Sequence, residues 1–334
     1  MSSSVSVPLL GPLLQSFFAE HLLTHKQASP QTVAAYRDAF RLLLRFLRET
    51  KGLEPAALRL DDLAAPQLLS FLEHLETHRG NTARSRNARL AAFRSFFRFV
   101  TLREPNSLAL ASCVLAIPVK RVARPLVGYL SRAEMDALIA TPDCSTWAGR
   151  RDHALLLTLY NSGARVSEVA RLQRAQVDVG ATACVRLHGK GRKDRAVPLW
   201  SRTAKVLRAW FRELGAGDGL AFPNARGGPL TRDGVAYILD RAKQAAGARC
   251  PSLQAKRVSP HVLRHTTAMH LLQAGVDLTV IALWLGHESI ETTHGYLEAD
   301  LATKQRALAK LSPATTKVPR FRPSDALLTF LDAL

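Results

Sequence analysis

Three separated clusters in this sequence gather side chains suited to work on a phosphate ester: Gly163-Ala164-Arg165-Val166-Ser167-Glu168, His261-Val262-Leu263-Arg264-His265, and Leu285-Gly286-His287 leading to Thr293-His294-Gly295-Tyr296. Guanidinium groups stay charged and match phosphate oxygens in a two-pronged fork. Arg165 and Arg264 can therefore meet both the ground-state anion and the added charge of a pentacoordinate transition state. Histidine exchanges protons near neutral pH and donates to oxyanions, which suits His261 and His287. In a basic chain the default fate of one arginine is a surface charge. Arg165 differs because it follows a helix break at Asn161-Ser162-Gly163 and has Glu168 one turn on, able to hold the side chain in place. Of the five tyrosines, only Tyr296 stands in a T-x-x-Y run after Leu-Gly-His. A phenol with a reference pKa near ~10 is ionised in roughly one molecule in a thousand at neutral pH, so attack by it needs flanking cations or a base.

A fourth feature is a glycine turn. Gly189-Lys190-Gly191-Arg192-Lys193-Asp194 separates two alternating stretches, Cys184–His188 and Arg195–Leu199, and predicts a β-hairpin with Lys190 at its tip and Lys193 nearby. In this order the clusters resemble the signature of the tyrosine recombinase (phage integrase) family: an Arg, a Lys in a β-turn, an H-x-x-R pair, a further His and a Tyr nucleophile. The resemblance covers about residues 8 to 311, with its motifs almost wholly in the second half, and no position departs from the pattern.

The resemblance implies that Arg165 and Arg264 clamp the scissile phosphate, with Glu168 as an accessory to Arg165. It implies that Tyr296 attacks, Lys190 protonates the departing 5′ hydroxyl, His261 acts as acid or base, and His287 hydrogen-bonds the phosphate. The product would be a 3′-phosphotyrosyl link and a free 5′ hydroxyl; attack by the partner strand's hydroxyl would reverse it, and two exchanges would pass through a Holliday junction. The phosphotyrosyl ester stores the bond energy needed for rejoining and the arginines stabilise charge, so no cofactor, metal or nucleotide, is implied. The implied partners are a double-stranded DNA recombination site, three further copies in a synaptic homotetramer, and helper recombinases. A site-specific recombinase of a mobile element is the favoured reading. The alternatives are a chromosome-dimer resolvase of Xer type, a monomeric type IB topoisomerase and, from another class, a catalytically inactive DNA-binding accessory protein. A zinc site is the rival reading of the histidines, since His261 and His265 stand four apart with His270, His287 and His294 downstream. The absence of an H-E-x-x-H glutamate and of any cysteine pair argues against it.

The elements that must position these groups fall into two regions. From residue 8 to about 101 apolar residues recur at helical spacing, as in Val33, Tyr36, Phe40, Leu43, Leu44 and Leu47. Ser29-Pro30 predicts one helix start, Asp62 precedes another helical stretch, and Asn81 is expected to cap a fourth helix. In that helix Leu90, Phe93, Phe96, Phe97 and Val100 share an arc, while Arg84, Arg94 and Arg98 fall outside it. These three are candidate DNA contacts together with Lys193, although an ordinary solvated face has the same composition. Residues 1–102 are expected to form an N-terminal helical, SAM-like core-binding domain. Residues 103–130, with Pro105, Pro118, Pro125 and a basic cluster, are expected to be a linker. Residues 131–311 are expected to form the catalytic domain, opened by a Ser131/Glu134 capping box. In residues 312–334, a basic stretch precedes a short apolar helix that needs a partner surface, either on its own domain or on a neighbouring protomer. The expected fold is mostly α with a small β-sheet or hairpin in the catalytic domain, a two-domain DNA breaking and rejoining fold that clamps duplex DNA in a C shape.

Composition agrees with a polyanionic partner. The 334 residues carry 46 Lys and Arg against 27 acids, a net charge of +19, and counterion release on phosphate binding rewards such a surplus. No apolar run reaches the roughly 20 residues of a membrane-spanning helix, and the N-terminus lacks the basic start and cleavage site of a secretory signal. Four widely spaced cysteines fit a reducing compartment, so a cytoplasmic, nucleoid-associated protein is expected.

Overall fold

The structure is a computed structural model and describes residues 7–122, 128–189, 194–215, 217–286 and 332. The chain divides into two compact units, Met1–Arg124 and Pro125–Leu334.

The first unit is helical. α1 (Leu10–Ser16) runs on as π-type turns to His25, followed by α2 (Pro30–Lys51), α3 (Ala65–Thr77), α4 (Ala83–Arg103) and α5 (Leu108–Ala116). Ser29 starts α2 as expected: its hydroxyl accepts from the Thr32 amide at 3.2 Å, Pro30 sits in the first turn, and Gly52 ends the helix at φ +67°. The core is aromatic. Phe17, Phe71, Phe93, Phe96 and Phe97 are fully buried, and edge-to-face pairs such as Phe17–Phe96 at 5.4 Å and Phe40–Phe93 at 5.3 Å lock the π-type turns and α2 onto α4. Each such ring contributes about 1.5–3 kcal/mol by burial, plus a smaller geometric term.

Local expectations change in two places. Thr82, not Asn81, caps α4, accepting from the Ser85 amide at 3.2 Å. Asp62 precedes a helical stretch as expected: its carboxylate accepts from the Arg59 amide at 2.9 Å and closes the short turn Leu60–Leu63 ahead of α3, which carries Phe71 and Leu75. The stretch 103–130 is not a tether throughout, because α5 packs on α4 with Ala111, Val114 and Ile117 buried. The sequence Leu-Ala-Leu-Ala-Ser-Cys-Val-Leu-Ala is apolar nearly all round, so no polar stripe alternates with an apolar one and the periodicity disappears.

The second unit begins with α6 (Arg132–Ile139), whose capping box is formed: the Ser131 hydroxyl accepts from the Glu134 amide at 3.2 Å, and the Glu134 carboxylate accepts from the Ser131 amide at 2.7 Å. α7 (Trp147–Ser162) is buried along most of its length and is followed by the single turn α8 (Val166–Val169). Three antiparallel strands follow, β1 (Val177–Asp178), β2 (Cys184–His188) and β3 (Asp194–Pro198), in the order β1-β2-β3. The hairpin register pairs Val185 with Val197, Leu187 with Arg195 and His188 with Asp194. The expected hairpin is present; β1, only two residues long, was not anticipated. α9 (Ser201–Glu213), α10 (Arg232–Gly247), α11 (Pro260–Gln273) and α12 (Leu278–Leu285) complete the described part. Among the described residues no helix is long and apolar enough to cross a membrane.

Candidate active site

Two glycines in left-handed conformation shape the centre of the second unit. α7 ends at Gly163, φ +57°, which lets the chain turn at once into Arg165 at the start of α8. α12 ends the same way at Gly286, φ +65°. A side chain on Gly163 would place its Cβ 2.5 Å from Leu285 Cδ2, so glycine there also allows the ends of α7 and α12 to touch.

α11 lies against both α7 and α12 and carries the H-x-x-R pair. Ser259 caps it, and the Thr267 hydroxyl donates to the Tyr160 carbonyl of α7 at 2.7 Å. The Tyr160 hydroxyl and His270 Nδ1 share a 2.7 Å hydrogen bond, and Arg132 donates to the same hydroxyl at 2.7 Å. Helix-to-helix bonds of this kind fix the rotation of α11, and with it where Arg264 points. Arg264 is buried; its Nη1 donates to the Gly163 carbonyl at 2.7 Å and its Nη2 to the Leu285 carbonyl at 2.6 Å. Arg165 donates from Nη2 to the next carbonyl, Gly286, at 3.1 Å and from Nη1 to Glu168 at 3.0 Å. Arg165 and Arg264, a hundred residues apart in sequence, thus meet at one helix end and bind adjacent carbonyls there. The Arg165 side chain is about one-third exposed (34%), so this cationic pair opens to solvent on the Arg165 side.

Glu168 does what its position predicts, and more. Its carboxylate accepts from the Arg165 amide at 2.8 Å and from the Arg165 guanidinium, and it also takes a fork from Arg195 of β3 at 2.8 and 3.1 Å. Burial alone would raise its pKa; the bonds from Arg195 and Arg165 outweigh that and hold it below the ordinary carboxylate value, so it is ionised at neutral pH. Arg195 was missed by motif reading. A signal was available: strand alternation puts position 195 on the same face as buried Val197, and an arginine on an inward face needs a countercharge.

His261 lies on the first turn of α11, exposed, one turn before Arg264. His265 is buried with its ring edge-on to Tyr129 at 6.4 Å, so the two histidines four apart have different surroundings. Among the described residues no group of three or more His, Cys, Asp or Glu is placed to hold a metal. Lys190, Lys193, His287, His294 and Tyr296 lie outside the described residues, as does the segment 312–334 apart from Asp332.

The arginines of the basic face expected on α4 differ in their surroundings. Arg84 and Arg98 are exposed, whereas Arg94 is half-buried and donates to the Ile117 carbonyl at the end of α5. Arg86, fully buried, donates to the Pro118 carbonyl at 2.9 Å, and Asn87 bonds both the amide and the carbonyl of Lys120. α5 ends beside Arg94, and its last carbonyls need donors.

A helical unit followed by a helical unit with a three-stranded sheet and paired arginines is the architecture of the tyrosine recombinases. The chain superposes on a crystal structure of XerH site-specific recombinase bound to palindromic difH substrate with a TM-score of 0.68, covering 85% of this chain and 81% of that one at 22% identity. On the Tn1549 transposon integrase in complex with a circular intermediate DNA the TM-score is 0.66, over 92% of this chain and 100% of that one at 13% identity.

The chain belongs to the phage integrase family: residues 129–302 match the phage integrase family itself and residues 16–104 match its N-terminal SAM-like domain. A Sinorhizobium fredii protein named as an integrase/recombinase, y4rC, is 52% identical over 97% of this chain and 98% of its own length. Tyrosine recombinase XerC of Pelobacter propionicus is 34% identical over 90% of this chain and 96% of its own.

Proposed function

We propose that this protein is a site-specific DNA recombinase that cleaves and rejoins strands through a 3′-phosphotyrosyl intermediate at Tyr296. The observation that carries the reading is the meeting of Arg165 and Arg264 on adjacent carbonyls at the end of α12, immediately before His287 in the sequence. Two fixed guanidinium groups at one point, one of them partly exposed, form a preorganised receptor for a phosphate that gains charge in the transition state. His261, on the turn before Arg264, and Lys190, between β2 and β3 in the sequence, are assigned to proton transfer. His287 is assigned to a hydrogen bond with the phosphate. Arg84, Arg94, Arg98 and Lys193 are assigned to the DNA backbone, and the N-terminal helical unit to holding the duplex.

Full-length 52% identity to a protein named as an integrase/recombinase, against 34% to XerC, favours service to a mobile element. The XerC relationship keeps chromosome-dimer resolution as the second reading, which recombination of a chromosomal terminus site would reveal. We assign the working form to a homotetramer on two DNA sites, with helper recombinases as further partners, acting in the cytoplasm on the nucleoid. A nicked suicide duplex tests the chemistry: wild type should become covalently trapped with or without chelator, and Tyr296→Phe should not. Trapping that survives Tyr296→Phe, or that needs a metal ion, would refute the assignment.

A further inference from the structure

Arg195 has no role in the proposed chemistry, yet its guanidinium is tied into the centre from all three nitrogens. Nε donates to the Trp284 carbonyl at 2.9 Å, Nη1 to Glu168 Oε1 at 3.1 Å and Nη2 to Glu168 Oε2 at 2.8 Å. Its side chain is 9% exposed and that of Glu168 4%. The connection closes on itself. β3 reaches Glu168 through Arg195, Glu168 reaches Arg165, Arg165 reaches the Gly286 carbonyl, and Trp284, two residues earlier in the same turn, accepts from Arg195. β3 is also the strand that follows the Lys190 turn in the sequence.

The division of hydrogen bonds matters for Arg165. A buried carboxylate facing a single arginine takes the two-pronged fork, which neutralises the guanidinium and consumes two of its donors. Here Arg195 donates the fork, and the Arg165 side chain donates one bond, to Oε1. With two guanidinium groups on one carboxylate, the cluster keeps a net positive charge, and Arg165 keeps N–H groups for another anion.

We infer that Arg195 is a positioning residue for strand cleavage: it occupies Glu168, so that this carboxylate orients Arg165 without neutralising it, and it joins β3 to the end of α12. The inference rests on the recombinase reading and assigns Arg195 no contact with DNA.

The test compares rates of covalent trapping by the full chain on two suicide duplexes, one with an ordinary scissile phosphate and one with an uncharged methylphosphonate there. Arg195→Gln should let Glu168 close on Arg165. It should slow trapping on the phosphate by about tenfold or more, with affinity for the site kept within about threefold. On the methylphosphonate, which lacks the oxygen charge that Arg165 must balance, the gap between wild type and variant should shrink to about threefold or less. Equal slowing on both duplexes would mean that Arg195 only supports the fold, and no slowing on the phosphate would mean that its bonds are inert; either overturns the inference. Should Arg195→Gln fail to bind the site, Arg195→Lys, which keeps the charge but not the fork, carries the same comparison with a smaller gap. Absence of trapping by wild type itself would instead count against the recombinase reading.

Discussion

Gly163→Ala probes the joint between α7, α11 and α12 on which the paired arginines depend. An alanine forced into left-handed conformation costs about 1–2 kcal/mol. The added methyl would stand 2.5 Å from Leu285 Cδ2 and 3.4 Å from Thr267 Cγ2 in a packed interior, and overpacking of that kind costs a further ~1–3 kcal/mol. Gly275→Ala is the matched control: φ is +85° there too, but nothing lies within 4 Å, so it bears the backbone cost alone. Any gain from stiffening the unfolded chain is common to both variants and cancels. Trp147, Trp200, Trp210 and Trp284 all lie in the second unit, so tryptophan fluorescence during urea unfolding reports that unit without the first. Gly163→Ala should unfold at lower urea than Gly275→Ala, by a midpoint difference of roughly 0.5–1 M for a ~1–3 kcal/mol gap. It should also slow covalent trapping more, because displacing Leu285 moves the carbonyl that receives Arg264. Equal midpoints and equal trapping rates would show that the close approach of the two helix ends holds nothing in place.

Glu134 gives a pH prediction. Burial would raise its pKa, but hydrogen bonds from Lys256 at 2.6 Å, Ser252 at 2.6 Å and the Ser131 amide at 2.7 Å prevail and lower it to about 2. A carboxylate depressed in the folded state stabilises fully above its unfolded pKa of 4.5 and loses that contribution as pH falls toward 2. Glu134→Gln should therefore cost on the order of 1–2 kcal/mol near neutrality, allowing for solvent around the partly exposed Lys256, and the gap to wild type in thermal melts should shrink between those two pH values; a constant gap would contradict this. Arg86→Ala leaves the Pro118 carbonyl without its buried donor, which costs about 1–3 kcal/mol, and should make trypsin cut faster after Lys120 and Arg121; unchanged cutting would mean that the strap along α4 is held by other bonds. Deleting residues 312–334 should abolish pairing of two DNA sites in a gel while leaving single-site binding, as a tail docked on a neighbouring protomer requires; unchanged pairing would refute that role.

The sequence was most legible where side-chain type and spacing both carry information. Arg165 with Glu168 three residues on, and Arg264 in H-x-x-R, stood out by chemistry, and the structure joins the two arginines. The pairing of β2 with β3 was visible because both stretches alternate on either side of a glycine-containing run in the sequence. α5 was hidden because nine almost uniformly apolar residues have no amphipathic period, and β1 because two residues have no period at all. The bond from Arg94 to the Ile117 carbonyl was not legible, since sequence shows that a residue lies off the apolar arc but not that a later helix ends beside it. Arg195 escaped because its partners, the Trp284 carbonyl and the Glu168 carboxylate already read as serving Arg165, are distant from it in sequence.

The most direct measurement of the central claim is the chemical identity of the trapped bond. After reaction with a nicked suicide duplex, proteolysis and nuclease trimming should leave one modified peptide, with a nucleotide attached through its 3′ phosphate to the oxygen of Tyr296 and a matching free 5′ hydroxyl on the released strand. A nucleotide on another residue, or attachment through a 5′ phosphate, would contradict the account.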